Sequence, residues 1–249
     1  MPTRPLLVAL SLLPSLAIGH ERENVAYSVH PAPTADALSV TFSSFWESRY
    51  YLEGRDVLDG DSILSNTLEF QWDSFSAGIW YGNSTEQHYD ELHATLLYHH
   101  SFGETLEAYL GYNHVRFPHD DGHHDHEIHT GLSWSGCPMG IEWAVDAYHS
   151  MEAGGFFVES SGSYGWELSD KLSASLTGIF GMNQGYVADG HDGANHIAAS
   201  IGLSYALTDS LTIGAHGTYS WGIDRKAGAA DDASLKDFFH AGIGLELSF

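Results

Sequence analysis

From Ala37 onward, apolar and polar residues alternate along the chain. Leu92, Ala94, Leu96 and Tyr98 alternate with Glu91, His93, Thr95 and Leu97, and Leu106, Ala108, Leu110 and Tyr112 with Thr105, Glu107, Tyr109 and Gly111. The same spacing runs through Ile197, Ala199, Ile201, Leu203 and Tyr205, and closes the chain with Phe239, Ala241, Ile243, Leu245, Leu247 and Phe249. Side chains of a strand point alternately to its two faces, so a period of two predicts half-apolar strands. Followed from end to end, the pattern predicts strands near 37–51, 63–73, 75–82, 89–100, 105–115, 127–135, 140–149, 156–168, 171–182, 195–207, 211–221 and 237–249.

The connections alternate too. Asp73-Ser74, 101–104, 135–139, Ser169-Asp170 and 208–210 are short, while 52–62, 116–126, 183–194 and 222–236 run longer. Short turns at one end and long loops at the other describe an up-and-down meander, and in an outer-membrane barrel the short turns face the periplasm. An even number of strands places both of its ends on that side.

Alternation alone does not say which face points inward, since a soluble barrel would bury the apolar one. Three features predict the inverse. The polar face is built from Gly, Ser, Thr, His and carboxylates and nearly lacks lysine. Aromatic residues cluster near the strand ends of the apolar face, at Trp46, Tyr50, Trp72, Tyr81, Tyr98, Tyr112, Trp134, Tyr164, Tyr205, Tyr219 and Phe249; amphipathic rings prefer the lipid–water boundary. The final residue, Phe249, resembles the terminal aromatic that such barrels present to the barrel-assembly machinery. Within lipid every backbone polar group must be paired internally, so the sheet has to close. The expected fold is therefore an all-β, up-and-down antiparallel transmembrane barrel of about twelve strands over 37–249, with outer-membrane lipid as its surroundings.

The start of the chain reads differently. Arg4, the apolar run Leu6 to Leu16 and the small residues Ala17 and Gly19 form a secretory signal pattern over 1–19, too short to span a bilayer as a helix. Residues 20–36, with Pro31 and Pro33, read as a periplasmic extension. Export to the outer membrane through a cleaved signal peptide is the expectation.

Composition narrows the chemistry. Acidic residues outnumber Lys and Arg 33 to 9, a formal net charge of -24, which argues against nucleic acid as a partner. With Cys137 as the one cysteine, an internal disulfide and a cysteine-rich zinc site are both excluded.

Several short stretches are shared with a known group. These are Ser48 to Asp56, Gly78-Ile79-Trp80-Tyr81-Gly82, Tyr89-Asp90-Glu91-Leu92, Leu110-Gly111-Tyr112 and Gly185 to His196. Together they resemble the small conserved outer-membrane proteins of Gram-negative bacteria of the Gcw_chp type. The resemblance implies a single outer-membrane barrel and carries over no functional residue.

By parity the face expected to line the lumen carries Glu47, Arg49, Glu69, Glu91, His93, Glu107, Glu127, His129, Glu142, Asp146, Glu159, Glu167, His196, His216, His240 and Glu246. Rings of carboxylates favour cations, so a narrow cation-preferring pore or a cation-binding, porin-like lumen is one expectation. The alternative is a closed structural barrel whose acids bond to Ser, Thr, Tyr and His across the bore. No cofactor is expected, apart from a divalent ion at the surface loop containing His119, Asp120, His123, His124, Asp125 and His126, where imidazoles and carboxylates are dense. Asp56, Asp59 and Asp61, and Asp189, Asp192 and Asn195, are weaker oxygen-rich candidates for calcium that do not follow the EF-hand spacing. A rim hydrolase using His149, Ser150, Asp189, His191 or His216 is the remaining class, and no spacing singles out a nucleophile and base among them.

Overall fold

The computed structural model describes residues 38–120, 122–137 and 139–249. The signal segment 1–19 and the extension 20–36 lie outside them. Twelve antiparallel strands close into a barrel: β1 (Ser39–Glu47), β4 (Ile63–Trp72), β5 (Phe75–Ser84), β6 (Asp90–Phe102), β7 (Leu106–Phe117), β8 (His123–Trp134), β9 (Glu142–Ser150), β10 (Phe156–Glu167), β11 (Leu172–Gln184), β12 (Gly193–Ala206), β13 (Leu211–Gly222) and β14 (Phe238–Ser248). Each strand pairs with its neighbours in sequence, and β1 closes the ring by pairing with both β4 and β14. A separate two-stranded hairpin, β2 (Tyr51–Leu52) with β3 (Arg55–Asp56), lies in the first long connection.

The barrel is inverted relative to a soluble one. Outward apolar residues are open, such as Leu96 at 54%, Leu110 at 59% and Ile243 at 54%, while inward Asn113, Thr218 and His240 are 0% exposed. Lipid rewards this arrangement and water does not. Two aromatic girdles border the apolar band. Trp72, Phe75, Tyr98, Trp134, Tyr164, Tyr205 and Phe249 sit toward the turn end, and Trp46, Tyr81, Tyr112, Tyr219 and Trp221 toward the loop end, all exposed. Tyr50 departs from this set. It is buried against Leu58, Ile63 and Trp80 at the barrel mouth, because the chain leaves the wall at Glu47 and turns inward.

That inward turn is the main departure from the expected strand 37–51. A wall strand there would end its pairing where β4 begins, and Glu47 already faces Ile63 at the top of β4. Beyond it the chain doubles back through Glu53 and Gly54, which have φ of 46° and 74°. Two successive positive φ angles make the tight turn whose twist matches a hairpin. Gly54 is needed for space as well, since a Cβ there would sit 2.4 Å from the His196 ring.

The expected loop 116–126 also differs. β7 and β8 continue their ladder through His114 opposite His126, Arg116 opposite His124 and Phe117 opposite His123. The polar segment is therefore largely strand, because ladder hydrogen bonds form regardless of side-chain polarity once the strands rise above the lipid. The long connections that remain at the loop end are 48–62, 185–192 and 223–237.

Candidate functional site: the lumen and its plug

The bore is filled unevenly along its length. In the half nearer the loop end, parity places Glu47, Glu91, His93, Glu127, His129, Asp146, Glu159, His196, His216 and His240 inward, and all are buried. Glu69, Glu107, Glu142 and Glu246, nearer the turn end, are half-buried, and Glu167 is exposed at the rim. There the bore opens into a cavity of about 120 Å³ bordered by Glu107, Ser133, Glu142, Ser161 and Ser163. Arg49 is not on the wall. It stands in the loop after β1, pairs with Asp56 and lies over the Phe238 ring at 5.8 Å.

The buried acids are bonded rather than bare. Glu91 accepts hydrogen bonds from the hydroxyls of Tyr50 at 2.7 Å and Tyr89 at 2.5 Å, and its other oxygen lies 2.5 Å from His93 Nε2. His93 Nδ1 meets the Asn113 amide at 3.1 Å. Asn113 donates to Glu127 at 2.9 Å and accepts from Thr95 at 2.8 Å. Glu127 is also 2.9 Å from His129 Nε2 and accepts from the Tyr186 hydroxyl. One continuous polar chain thus crosses β6, β7 and β8. Buried polar groups persist only when satisfied in this way.

Glycine on the wall makes several cross-strand contacts possible. Tyr109, Gly131 and Asp146 stand abreast on β7, β8 and β9. The Tyr109 hydroxyl reaches over Gly131 to donate to Asp146 at 2.6 Å, through space that a Cβ would occupy 2.3 Å from the tyrosine ring. Glu47, Gly242 and His216 repeat the arrangement on β1, β14 and β13.

Above this level the hairpin β2–β3 closes the mouth. Arg55 donates to the Glu53 carbonyl at 3.1 Å and to Asn195 at 2.9 Å, and its guanidinium lies 3.4 Å from Asp232. Asn195 donates back to the Glu53 carbonyl at 2.6 Å. Tyr51 packs against His196, Phe238 and His240. Asp232 joins the last long loop to the plug. Burial alone would raise its carboxyl, but hydrogen bonds from the Lys226 and His191 backbone N–H groups and from the His191 ring hold it below its ordinary value of 3.8. Lys236 bonds Asp59 at 2.6 Å, which lifts its ammonium above the ordinary lysine value.

The His/Asp-rich segment does not converge. His119 turns to Asp90, with Nδ1 at 2.5 Å, and Asp125 accepts from Ser150 at 2.5 Å. His123 packs against Phe117, and Asp120 accepts the His123 backbone N–H through its carbonyl. His124 and His126 do meet, on the outer face, together with His114, whose ring lies 4.8 Å from that of His126. His114 was legible only from its register opposite His126. The calcium candidates are engaged by other groups: Asp56 with Arg49 and Lys236, Asp59 with the same Lys236, Asp61 with Ser84, Asp192 with Gly185 and Asn195 with Arg55. Among the hydrolase candidates, His149 Nδ1 is tied to the Gly155 carbonyl at 2.8 Å. Both ring nitrogens of His191 are occupied, by Asp232 and by the Ala194 carbonyl, each at 2.8 Å. Ser150 Oγ donates to Asp125 at 2.5 Å.

Solved structures share the architecture. The KdgM porin matches with a TM-score of 0.55 at 8% identity, covering 85% of this chain and 99% of that one. The NanC porin matches at 0.54 with 10% identity, covering 85% and 99%. An outer-membrane channel from Pseudomonas putida F1 matches at 0.50 with 10% identity, covering 88% and 99%. KdgM has also been solved in complex with oligogalacturonate. No family model matches the chain, and no curated protein matches it. The fold is thus a closed twelve-stranded antiparallel barrel, the architecture these outer-membrane porins share, and no family is assigned.

Proposed function

We propose that this protein is an outer-membrane, porin-like channel for small cationic or neutral solutes, with its loop end shut by the β2–β3 plug in the conformation described. One observation carries the reading. Across the twelve wall strands the inner face holds carboxylates and no Lys or Arg; the single basic residue in those strands, Arg116, is exposed on the outside. A wall of this sign lowers the energy of a cation in the bore and raises that of an anion. It would repel a polyanion such as the oligogalacturonate held by KdgM, so shared architecture does not extend to shared cargo.

A second reading, a permanently closed barrel, draws on the completeness of the Glu91–Asn113–Glu127 chain. Twelve strands lie between the roughly eight whose interior side chains just fill and the sixteen or more that leave an aqueous channel. Planar-bilayer recording separates the two. The wild type is expected to conduct in brief openings and to show a cation-selective reversal potential under a salt gradient. A variant with residues 50–57 replaced by a short Gly-Ser linker is expected to conduct steadily with the same selectivity. Anion preference, or silence in both proteins, would overturn the channel reading.

A further inference from the structure

The structure assigns a binding site for a divalent first-row transition ion inside the barrel, held by Glu47, His216 and His240. All three are buried, and their ligand atoms lie within 4.8 Å of one another. Glu47 Oε2 stands 3.0 Å from His216 Nε2 and 3.7 Å from His240 Nδ1. A tetrahedral zinc with bonds of about 2.0–2.1 Å keeps its ligand atoms about 3.3–3.4 Å apart, so these two separations bracket the coordination edge. Two imidazoles and one carboxylate suit zinc, nickel, copper or ferrous iron better than calcium or magnesium, which take oxygen alone.

The second observation concerns hydrogen bonding. Glu47 Oε2 and both ring nitrogens of His216 and His240 are enclosed, yet none makes an aligned hydrogen bond. Their side chains are at most 4% exposed. In the Glu91 to His129 chain, by contrast, the imidazoles and carboxylates are joined by hydrogen bonds. Five enclosed donor or acceptor atoms drawn together at one point without an aligned hydrogen bond are costly unless an ion or equivalent partner gathers them.

The wall is shaped for this convergence. Gly242 stands between Glu47 and His216 in the ladder, and a Cβ there would lie 2.4 Å from the carboxylate oxygens and from His216 Cε1. Tyr51, from the plug, stacks on His240 with ring centroids 4.8 Å apart at 14°. The site therefore has three protein ligands, a cleared approach and a lid over one imidazole. It is distinct from the outer His114–His124–His126 cluster, and it does not depend on whether the barrel conducts.

The test uses the full mature chain, metal-stripped and folded in detergent. Zinc titration by calorimetry is expected to give one tight site per chain beyond any outer-surface binding, and cobalt is expected to give the visible absorption bands of a low-coordinate site. The double variant His216→Ala with His240→Ala should lose the tight site and the cobalt bands, and Glu47→Gln should weaken zinc at least tenfold. Gly242→Ala, which removes no ligand, should also weaken it, whereas His124→Ala with His126→Ala should leave it intact. Strand content by circular dichroism reports whether each variant is folded. Unchanged tight binding in the folded double variant, or no tight binding in the wild type, would overturn the assignment.

Discussion

At the scale of single residues, the lumen shows how alternation and glycine act together. Parity put Glu91, His93, Glu127 and Asp146 on one face; the bonds that satisfy them come from the same strand, from strands one or two places away, and from the connections that carry Tyr50, Tyr89 and Tyr186. Asn113 is the central link, serving His93, Glu127 and Thr95 while wholly buried. Asn113→Ala leaves these partners short of one bond each, and a buried polar group so deprived costs about 1–3 kcal/mol. Urea unfolding in lipid vesicles, followed by tryptophan fluorescence, is expected to register that loss, and an unchanged midpoint would show that the chain is rebuilt through other groups. Parity was readable because it depends only on chain geometry. The pairings were not, since a contact such as Tyr186 with Glu127 joins a loop to a distant strand, and no local spacing encodes it.

At the scale of elements, the wall strands were legible to within a few residues and the plug was not. Hydrophobic alternation marks a strand only where its two faces meet different media. Tyr50, Tyr51 and Leu52 continue the apolar pattern of β1, but they serve a mouth buried by protein on every side, so periodicity cannot tell them from wall. The Glu53-Gly54 pair was the one local sign of a reversal. Arg49 was misplaced for the same reason. The plug's attachment through Asp232 has a pH signature. Because its folded carboxyl is held below the unfolded value of 3.8, its contribution is complete above that value and is lost as the pH falls through the lower, folded one. Pepsin cleavage within 223–237 is expected to stay flat above about pH 4 and to rise below it, and Asp232→Asn should remove the step. A cleavage rate in the variant that still turns upward at the same pH would place the titrating group elsewhere.

At the scale of the whole molecule, the exterior defines the solvent. Leu176 lies mid-strand on β11, opposite Ile201 on β12, and both are more than half exposed. Such a surface is stable in hydrocarbon and unstable in water. Leu176→Arg places a charge in the apolar band, at a cost of about 2–4 kcal/mol near the bilayer midplane. The expected outcome is a lower urea midpoint in vesicles. A midpoint equal to wild type would put this residue at the interface instead of the centre of the band.

The pairing of β1 with β14 has a further consequence. Glu47 belongs to the first wall strand and His240 to the last, so nearly the entire polypeptide must be threaded and zipped before they can come together. Any signal arising from their proximity therefore dates the final stitch of the cylinder. During insertion it would stay dark through every partly built sheet and light up only when the two ends of the chain join.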